Sequence, residues 1–164
     1  MNARLAVLAL TLLSACGGAS DPKALTDEGM AALRSKNYPQ AVERFDQALA
    51  ALGSDTSKPE WMRAKMGAIE ARTQTDAARA KSEFLELAAA HPERVTDKEF
   101  ALIGGRLGEA HKLSEAMDLV EAGKKTHPQS ESLKILVKQL GDMAKTSGTP
   151  EEMDRLKGLG YVGD

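Results

Sequence analysis

Residues 29–49, GMAALRSKNYPQAVERFDQAL, carry the clearest structural signal in the chain. Apolar and small residues recur three and four positions apart on both sides of Lys36-Asn37, a spacing typical of one helix face. Polar residues and Pro39 interrupt the pattern between the two halves, as expected for a turn that leads into a new helix. The segment therefore predicts two helices joined by a short turn.

The same arrangement recurs twice further along the chain. In each copy, a small residue in one helical pattern precedes an alanine in the next by 12 positions: Gly29 with Ala41, Ala68 with Ala80, and Gly104 with Ala116. These small residues should let paired helices approach closely. The larger side chains expected to fill the space beside them are Phe45, Phe84, Leu107 and Val120.

Prolines and polar pairs mark where the helices of the second and third copies should end. His91-Pro92 and His127-Pro128 lie 36 residues apart, and proline cannot continue the hydrogen-bond ladder of a helix. Further turns are predicted at Thr75-Asp76 and His111-Lys112.

This pattern resembles the tetratricopeptide repeat (TPR), a helix–turn–helix unit of about 34 residues. In frames of that length the copies occupy 22–55, 61–94 and 97–130. The resemblance implies an all-α solenoid of about three repeats over residues 22–130. Composition favours the same class, because Ala (26) and Leu (20) far outnumber Val (6) and Ile (3), and β-branched residues are the ones that favour strands.

The C-terminal part, residues 131–164, is predicted to close the array. An amphipathic helix is expected over 132–145, and Thr149-Pro150-Glu151-Glu152 has the cap, proline and early acids that begin another helix. A repeat array needs such a cap, because its last unit otherwise leaves an apolar face in water.

The last residues, LKGLGYV at 156–162, resemble a short tail that ends various exported bacterial proteins. Two interpretations stay open. In one, the apolar side chains Leu156, Leu159, Tyr161 and Val162 pack against the capping helix. In the other, the tail is a docking peptide.

The N-terminus has the features of an export signal. Arg4 precedes a short apolar run over 5–13, which is too short to span a bilayer, since that takes roughly 20 residues. Leu13-Ser14-Ala15-Cys16 resembles the lipobox of bacterial lipoproteins. The resemblance implies a signal peptide over 1–15, cleavage before Cys16, and a tether over 16–21.

The same resemblance implies that Cys16 carries a diacylglycerol group and fatty acyl chains such as palmitate. Cys16 is the only cysteine in the chain, so it has no internal disulfide partner. Gly17 stands where an Asp often signals inner-membrane retention, which favours the outer membrane, facing the periplasm. An ordinary secretory signal with an incidental cysteine is the alternative.

The charge balance excludes several classes of partner and fold. Twenty-two Lys and Arg against 24 Asp and Glu give a net charge of −2, which argues against a nucleic-acid binder. With one cysteine, the chain is not a disulfide-stapled miniprotein. Membrane attachment is therefore expected through lipid rather than through basic residues.

The sequence shows no catalytic or metal-binding constellation. His91 and His127 occupy equivalent helix-end positions, and His111 falls in a predicted turn. Neither a nucleophile with its base nor a clustered ligand set is evident. We therefore expect no enzyme activity, and no metal or cofactor beyond the lipid on Cys16.

In TPR proteins the first helix of each pair lines the concave side, so the resemblance implies a peptide groove there. The chaperone-tail clamp of some TPR proteins is not matched, because Thr26, Met30 and Met66 stand at its positions and only Lys98 agrees. The candidate groove residues are Lys23, Met30, Arg34, Met62, Lys65, Ile69, Arg72 and Lys98, with Thr26, Leu33, Ala101 and Glu109 beside them.

Together these patterns predict a membrane-anchored TPR lipoprotein of the bacterial envelope that binds a protein or peptide partner and assists the assembly of an envelope complex. The alternative is a structural or self-associating lipoprotein with no dedicated client.

Overall fold

The computed structural model describes residues 21–163, so the predicted signal peptide, lipobox and most of the tether lie outside the described residues. Within them the chain forms eight helices and no strand, which confirms the all-α class. The helices are α1 (Pro22–Arg34), α2 (Tyr38–Leu52), α3 (Pro59–Thr75), α4 (Ala77–Ala90), α5 (Asp97–Glu109), α6 (Leu113–Thr126), α7 (Glu131–Ser147) and α8 (Pro150–Gly158).

Local signals place the ends of these helices. Asp21, Asn37 and Asp76 accept hydrogen bonds from backbone N–H groups of the first turns of α1, α2 and α4, which satisfies donors that have no partner within the helix. Helices α4 and α6 stop at the caps His91 and His127, one residue before each proline. The predicted turns Lys36-Asn37 and His111-Lys112 lie between helices, and Thr75-Asp76 comprises the last residue of α3 and its cap.

Two of the turns within helix pairs share one geometry. Lys36 and His111 both have positive φ, 59° and 58°, a conformation that costs energy outside glycine and persists only where the surroundings fix it. The following N–H in each turn donates back to the preceding helix, from Asn37 to Ala32 O and from Lys112 to Leu107 O. These short connections make α1 and α2, and α5 and α6, antiparallel neighbours.

The helices pack in two layers. The first helices of successive pairs contact one another in the order α1, α3, α5, α7, and α4, α6 and α8 contact in order behind them. Helix α3 packs against α1, α2, α4 and α5. The open side of the first layer is the surface on which the candidate site lies.

Buried side chains form two cores that meet at α3. The first core joins α1, α2 and one face of α3 around Phe45. The second core runs from α3 to the C-terminal tail and contains Phe84, Phe100 and Tyr161. The six small residues at 12-residue spacing are all buried, as predicted, and Phe45, Phe84, Leu107 and Val120 are completely so.

The C-terminal helices form where the sequence predicts them. Helix α8 begins with a capping box in which Thr149 and Glu152 exchange hydrogen bonds. Leu156 and Tyr161 are buried, whereas Val162 is 86% exposed. The packing interpretation of the tail therefore holds for Leu156 and Tyr161, and in part for Leu159, which is half-buried against the second core. It is wrong for Val162, which points into solvent.

Candidate functional site

A groove of about 760 Å³ opens on the exposed side of α1, α3 and α5. Its lining combines apolar, polar and charged side chains, and it includes Tyr38, the first residue of α2. The residues that line it are Met30, Leu33, Arg34, Lys36, Tyr38, Glu70, Thr73, Gln74, Leu102, Arg106 and Glu109.

The first helices of three pairs supply most of this lining. In the register of the 12-residue spacing, these helices are offset by 39 and 36 residues. Arg34, Thr73 and Glu109 therefore occupy equivalent positions, and all three line the groove. Glu70 and Arg106 form a second row on α3 and α5. The groove is thus a continuous strip across neighbouring helices.

In the middle of the groove, Arg106 lies between two carboxylates, so the three side chains carry a net charge of −1. The Arg106 Nε atom lies 2.8 Å from Glu70 Oε1, and a terminal nitrogen lies 2.9 Å from Glu109 Oε2. The hydrogen bonds to Glu109 and Glu70 raise the pKa of the Arg106 guanidinium above its ordinary value. Gln74 adds a link between helices by donating to the backbone oxygen of Arg106.

The end of the groove at the α1–α2 turn is different, because its net charge is positive. Among residues 21–163, neither Arg34 nor Lys36 forms an ion pair with a carboxylate. This end therefore carries two cations beside the Tyr38 ring.

A second depression of about 600 Å³ lies between α5 and α7 and shares Glu109 with the groove. Its floor is apolar, formed by Leu136, Leu140 and Met143. Gln139, Asp142, Thr146, Ser147 and His111 surround that floor. The two depressions together extend the open strip from α1 to α7.

The structure brings together only some of the predicted groove residues. Met30, Leu33, Arg34 and Glu109 line the groove. Lys23 and Lys98 are exposed but line neither depression, and Met62 packs against the second core.

Ile69 and Arg72 were predicted in the groove, and the structure corrects both. Ile69 is completely buried in the second core. Arg72 is 3% exposed and forms ion pairs with Asp46 of α2 and Glu83 of α4. Neither side chain is available to a ligand.

Two further predicted lining residues are also engaged elsewhere. Lys65 pairs with Glu83 at 2.8 Å and so points toward α4. Thr26 is completely buried, and its hydroxyl donates to Pro22 O.

On α3, two of the predicted lining residues lie one position before residues that line the groove. Ile69 precedes Glu70, and Arg72 precedes Thr73. One residue turns a helix by about 100°, so these predicted positions fall on a face that packs in the interior. Sequence reasoning missed Glu70, Thr73 and Gln74 for this reason, although their uniformly polar character was an available signal.

Residues 21–163 contain no cluster of three or more His, Cys, Asp or Glu side chains arranged to hold a metal ion. Over the same residues, no helix has both the length and the apolar character needed to cross a membrane. Cys16 lies outside the described residues.

Comparison of the chain with protein-family models, with curated proteins and with solved structures gives no match.

Proposed function

We propose that this chain is a bacterial lipoprotein whose TPR-like helix pairs form a protein-interaction adaptor, held at the cell envelope by lipid on Cys16. The observation that carries the proposal is the groove, which repeats equivalent positions of α1, α3 and α5 along one open strip. Such a strip offers an extended segment of a partner several contacts in succession. The proposed role is binding rather than catalysis.

The helix pairs support the TPR-like interpretation. Helices α1 and α2 fall within the 22–55 frame, and α5 and α6 fall within 97–130. Helix α3 begins two residues ahead of the 61–94 frame. The contacts between successive first helices favour an array in which each pair packs on its neighbours.

The lipid would act by confinement. Two or more buried acyl chains give long-lived attachment to a bilayer, and a tethered groove meets envelope partners at a raised effective concentration. We place the protein on the periplasmic face of the outer membrane, where it would assist the assembly of an envelope complex.

The test combines anchoring and capture in the producing bacterium. Cys16→Ser should leave an unacylated precursor, seen as loss of fatty-acid labelling and a change in membrane partitioning. In the otherwise unchanged chain, a photocrosslinking amino acid at Gln74, in the groove, should capture a partner protein. The same amino acid at Ala89, an exposed position on α4, serves as the matched control.

The outcomes separate the two parts of the proposal. Unchanged labelling and partitioning in Cys16→Ser would contradict the anchor. Equal capture from Gln74 and Ala89 would contradict the groove as a binding site. Capture of only a second copy of this chain would replace the adaptor with self-association.

A further inference from the structure

The charges of the groove are distributed unevenly along its length. The whole chain carries a net charge of −2, yet the α1–α2 end of the groove presents Arg34 and Lys36 with no carboxylate partner among residues 21–163. Further along, Arg106 pairs with both Glu70 and Glu109, so these three side chains carry a net charge of −1. A binding partner therefore meets positive charge at one end and net negative charge in the middle.

The apolar surface of the groove increases in the other direction. Leu102 is 43% exposed, although most leucines of residues 21–163 are buried. Beyond Glu109, the second depression is lined by Leu136, Leu140 and Met143, of which the two leucines are only 2% and 0% exposed. Leu102 and the partly buried Met143 therefore supply the apolar side-chain surface that a partner would cover, and covering it is favourable.

The length of the strip sets the size of the segment that would fill it. Packed helices lie about 8–10 Å apart, so the three steps from α1 to α7 span about 24–30 Å. An extended chain advances about 3.3 Å per residue. About seven to nine residues therefore reach from the basic end to the second depression.

We propose that the groove binds an extended peptide segment of a protein partner in one orientation, with acidic side chains at Arg34 and Lys36 and apolar side chains toward Leu102 and the α5–α7 depression. This inference rests on the proposed function and adds the chemistry and direction of the partner. Charge complementarity fixes the acidic end, because carboxylates form charge-assisted hydrogen bonds with both cations. The two carboxylates around Arg106 leave the centre net negative, so it does not attract the acidic side chains.

The test uses two pairs of fluorescein-labelled peptides on the full-length chain in detergent. The acidic probes are EEGSGSGLL and its reverse, LLGSGSGEE, and the basic probes replace both glutamates with lysines. The two chain directions are included because the polarity of the peptide backbone in the groove is open. We expect the better acidic probe to bind at least about tenfold more tightly than either basic probe, and salt to weaken it.

Variants test whether Arg34 and Lys36 cause the tighter binding of the acidic probes. R34E/K36E should make the basic probes bind more tightly than the acidic ones, and R34Q/K36Q should make the two kinds of probe bind equally. The matched control is K125E/K157E, which changes two exposed lysines on α6 and α8. Circular dichroism and melting temperature verify that each variant is folded, and the neutral pair remains informative if charge reversal prevents folding.

Orientation is read from crosslinks. A benzophenone group beside the glutamates should label residues 30–38, and one beside the leucines should label residues 102–147. Labelling in the opposite sense would overturn the proposed direction. Equal binding of acidic and basic probes, or no binding of either, would overturn the proposed chemistry.

Two further outcomes distinguish this inference from its basis. If Gln74 captures a partner in cells while the probes show no acidic preference, the adaptor function stands and the inference fails. If the two cations instead bind vesicles containing phosphatidylglycerol and ignore the peptides, the basic end contacts membrane and the inference also fails.

Discussion

Phe45 shows how single residues set the spacing of the helices. Its ring is completely buried and lies between glycines of two different helices. A Cβ atom at Gly29 of α1 would come within 2.7 Å of Phe45 Cε1, and one at Gly67 of α3 would overlap the same ring. Because the ring is enclosed on all sides, it cannot move away from an added methyl group.

We therefore expect Gly67→Ala to destabilise the protein by about 1–3 kcal/mol through overpacking. Gly105→Ala is the matched control, since it lies inside α5, where the nearest atom to a new Cβ would be Leu136 Cδ1 at 3.9 Å. There the higher helix propensity of alanine should stabilise by up to about 1 kcal/mol. Urea denaturation checks both, and equal effects of the two changes would contradict the packing of Phe45.

At the scale of elements, α8 and the tail pack against α6 and α7 and so cover the end of the array. Arg155 of α8 pairs with Glu121 and Asp118 of α6. Lys124 of α6 donates to Leu159 O in the tail at 2.7 Å. The tail then turns back at Gly160, where φ is +97°, so that the next side chain reaches α7.

Tyr161 packs against α7 at Gly141. Gly141 leaves space for its ring, which a Cβ atom there would overlap. The phenolic hydroxyl donates to Asp142 Oδ1 at 3.1 Å, and Lys145 Nζ lies 5.5 Å from the ring centre. A buried tyrosine ring stabilises the tail through its packing, and the hydrogen bond of its hydroxyl group fixes the direction of the side chain.

Tyr161→Ala should destabilise the protein by about 3 kcal/mol, at the lower end of the range for aromatic-to-alanine changes in cores. Val162→Ala should change stability by no more than about 0.5 kcal/mol, because its side chain lies in solvent. Hydrogen exchange of α7 amides should accelerate in the first variant only. If Val162→Ala has the larger effect, the tail is docked differently from this arrangement.

Across the whole molecule, ion pairs link helices that are distant in sequence. Glu83 of α4 forms ion pairs with Lys65, Arg72 and Arg79. Asp118 of α6 forms ion pairs with Lys81 and Arg155. Burial alone would raise the pKa of both carboxyls. Hydrogen bonds from Lys65 and Arg79 to Glu83, and from Lys81 and Arg155 to Asp118, outweigh burial and hold both pKa values below their ordinary range.

These lowered pKa values predict the acid response of the fold. A carboxyl with a lower pKa in the folded state stabilises it fully above the unfolded pKa of about 4, and this stabilisation is lost as the pH falls through the folded pKa. The free energy of unfolding should therefore stay level near neutral pH and decrease below about pH 4. Denaturant titration at a series of pH values measures it.

Glu83→Gln should lower stability at neutral pH and make the decrease in acid shallower, since one of the responsible carboxyls is gone. Glu86→Gln, on the same helix but exposed, should leave the profile close to that of the unchanged protein. Identical profiles for all three proteins would mean that Glu83 does not couple folding to pH.

The sequence alone predicted the helices, their turns and the closing pair closely. Each depends on residues within a few positions, such as the caps Asn37 and Asp76, the stops before Pro92 and Pro128, and the spacing of apolar residues. These interactions form within one or two helical turns, so a linear pattern records them. Even the burial of the six small residues follows from their regular offset.

The groove was only half predictable, and α3 shows why. Its sequence offers two plausible inner faces, one with Ile69 and Arg72 and one with Glu70 and Gln74. Helix α3 packs against four neighbouring helices. The ion pairs of Arg72 with α2 and α4 hold the face that carries Arg72 in the interior of the protein. The sequence by itself determined the helices and their pairing, because local hydrogen bonding and periodicity decide them. Only the tertiary structure decided which side of α3 faces the groove, because that rotation depends on packing against residues far away in the chain.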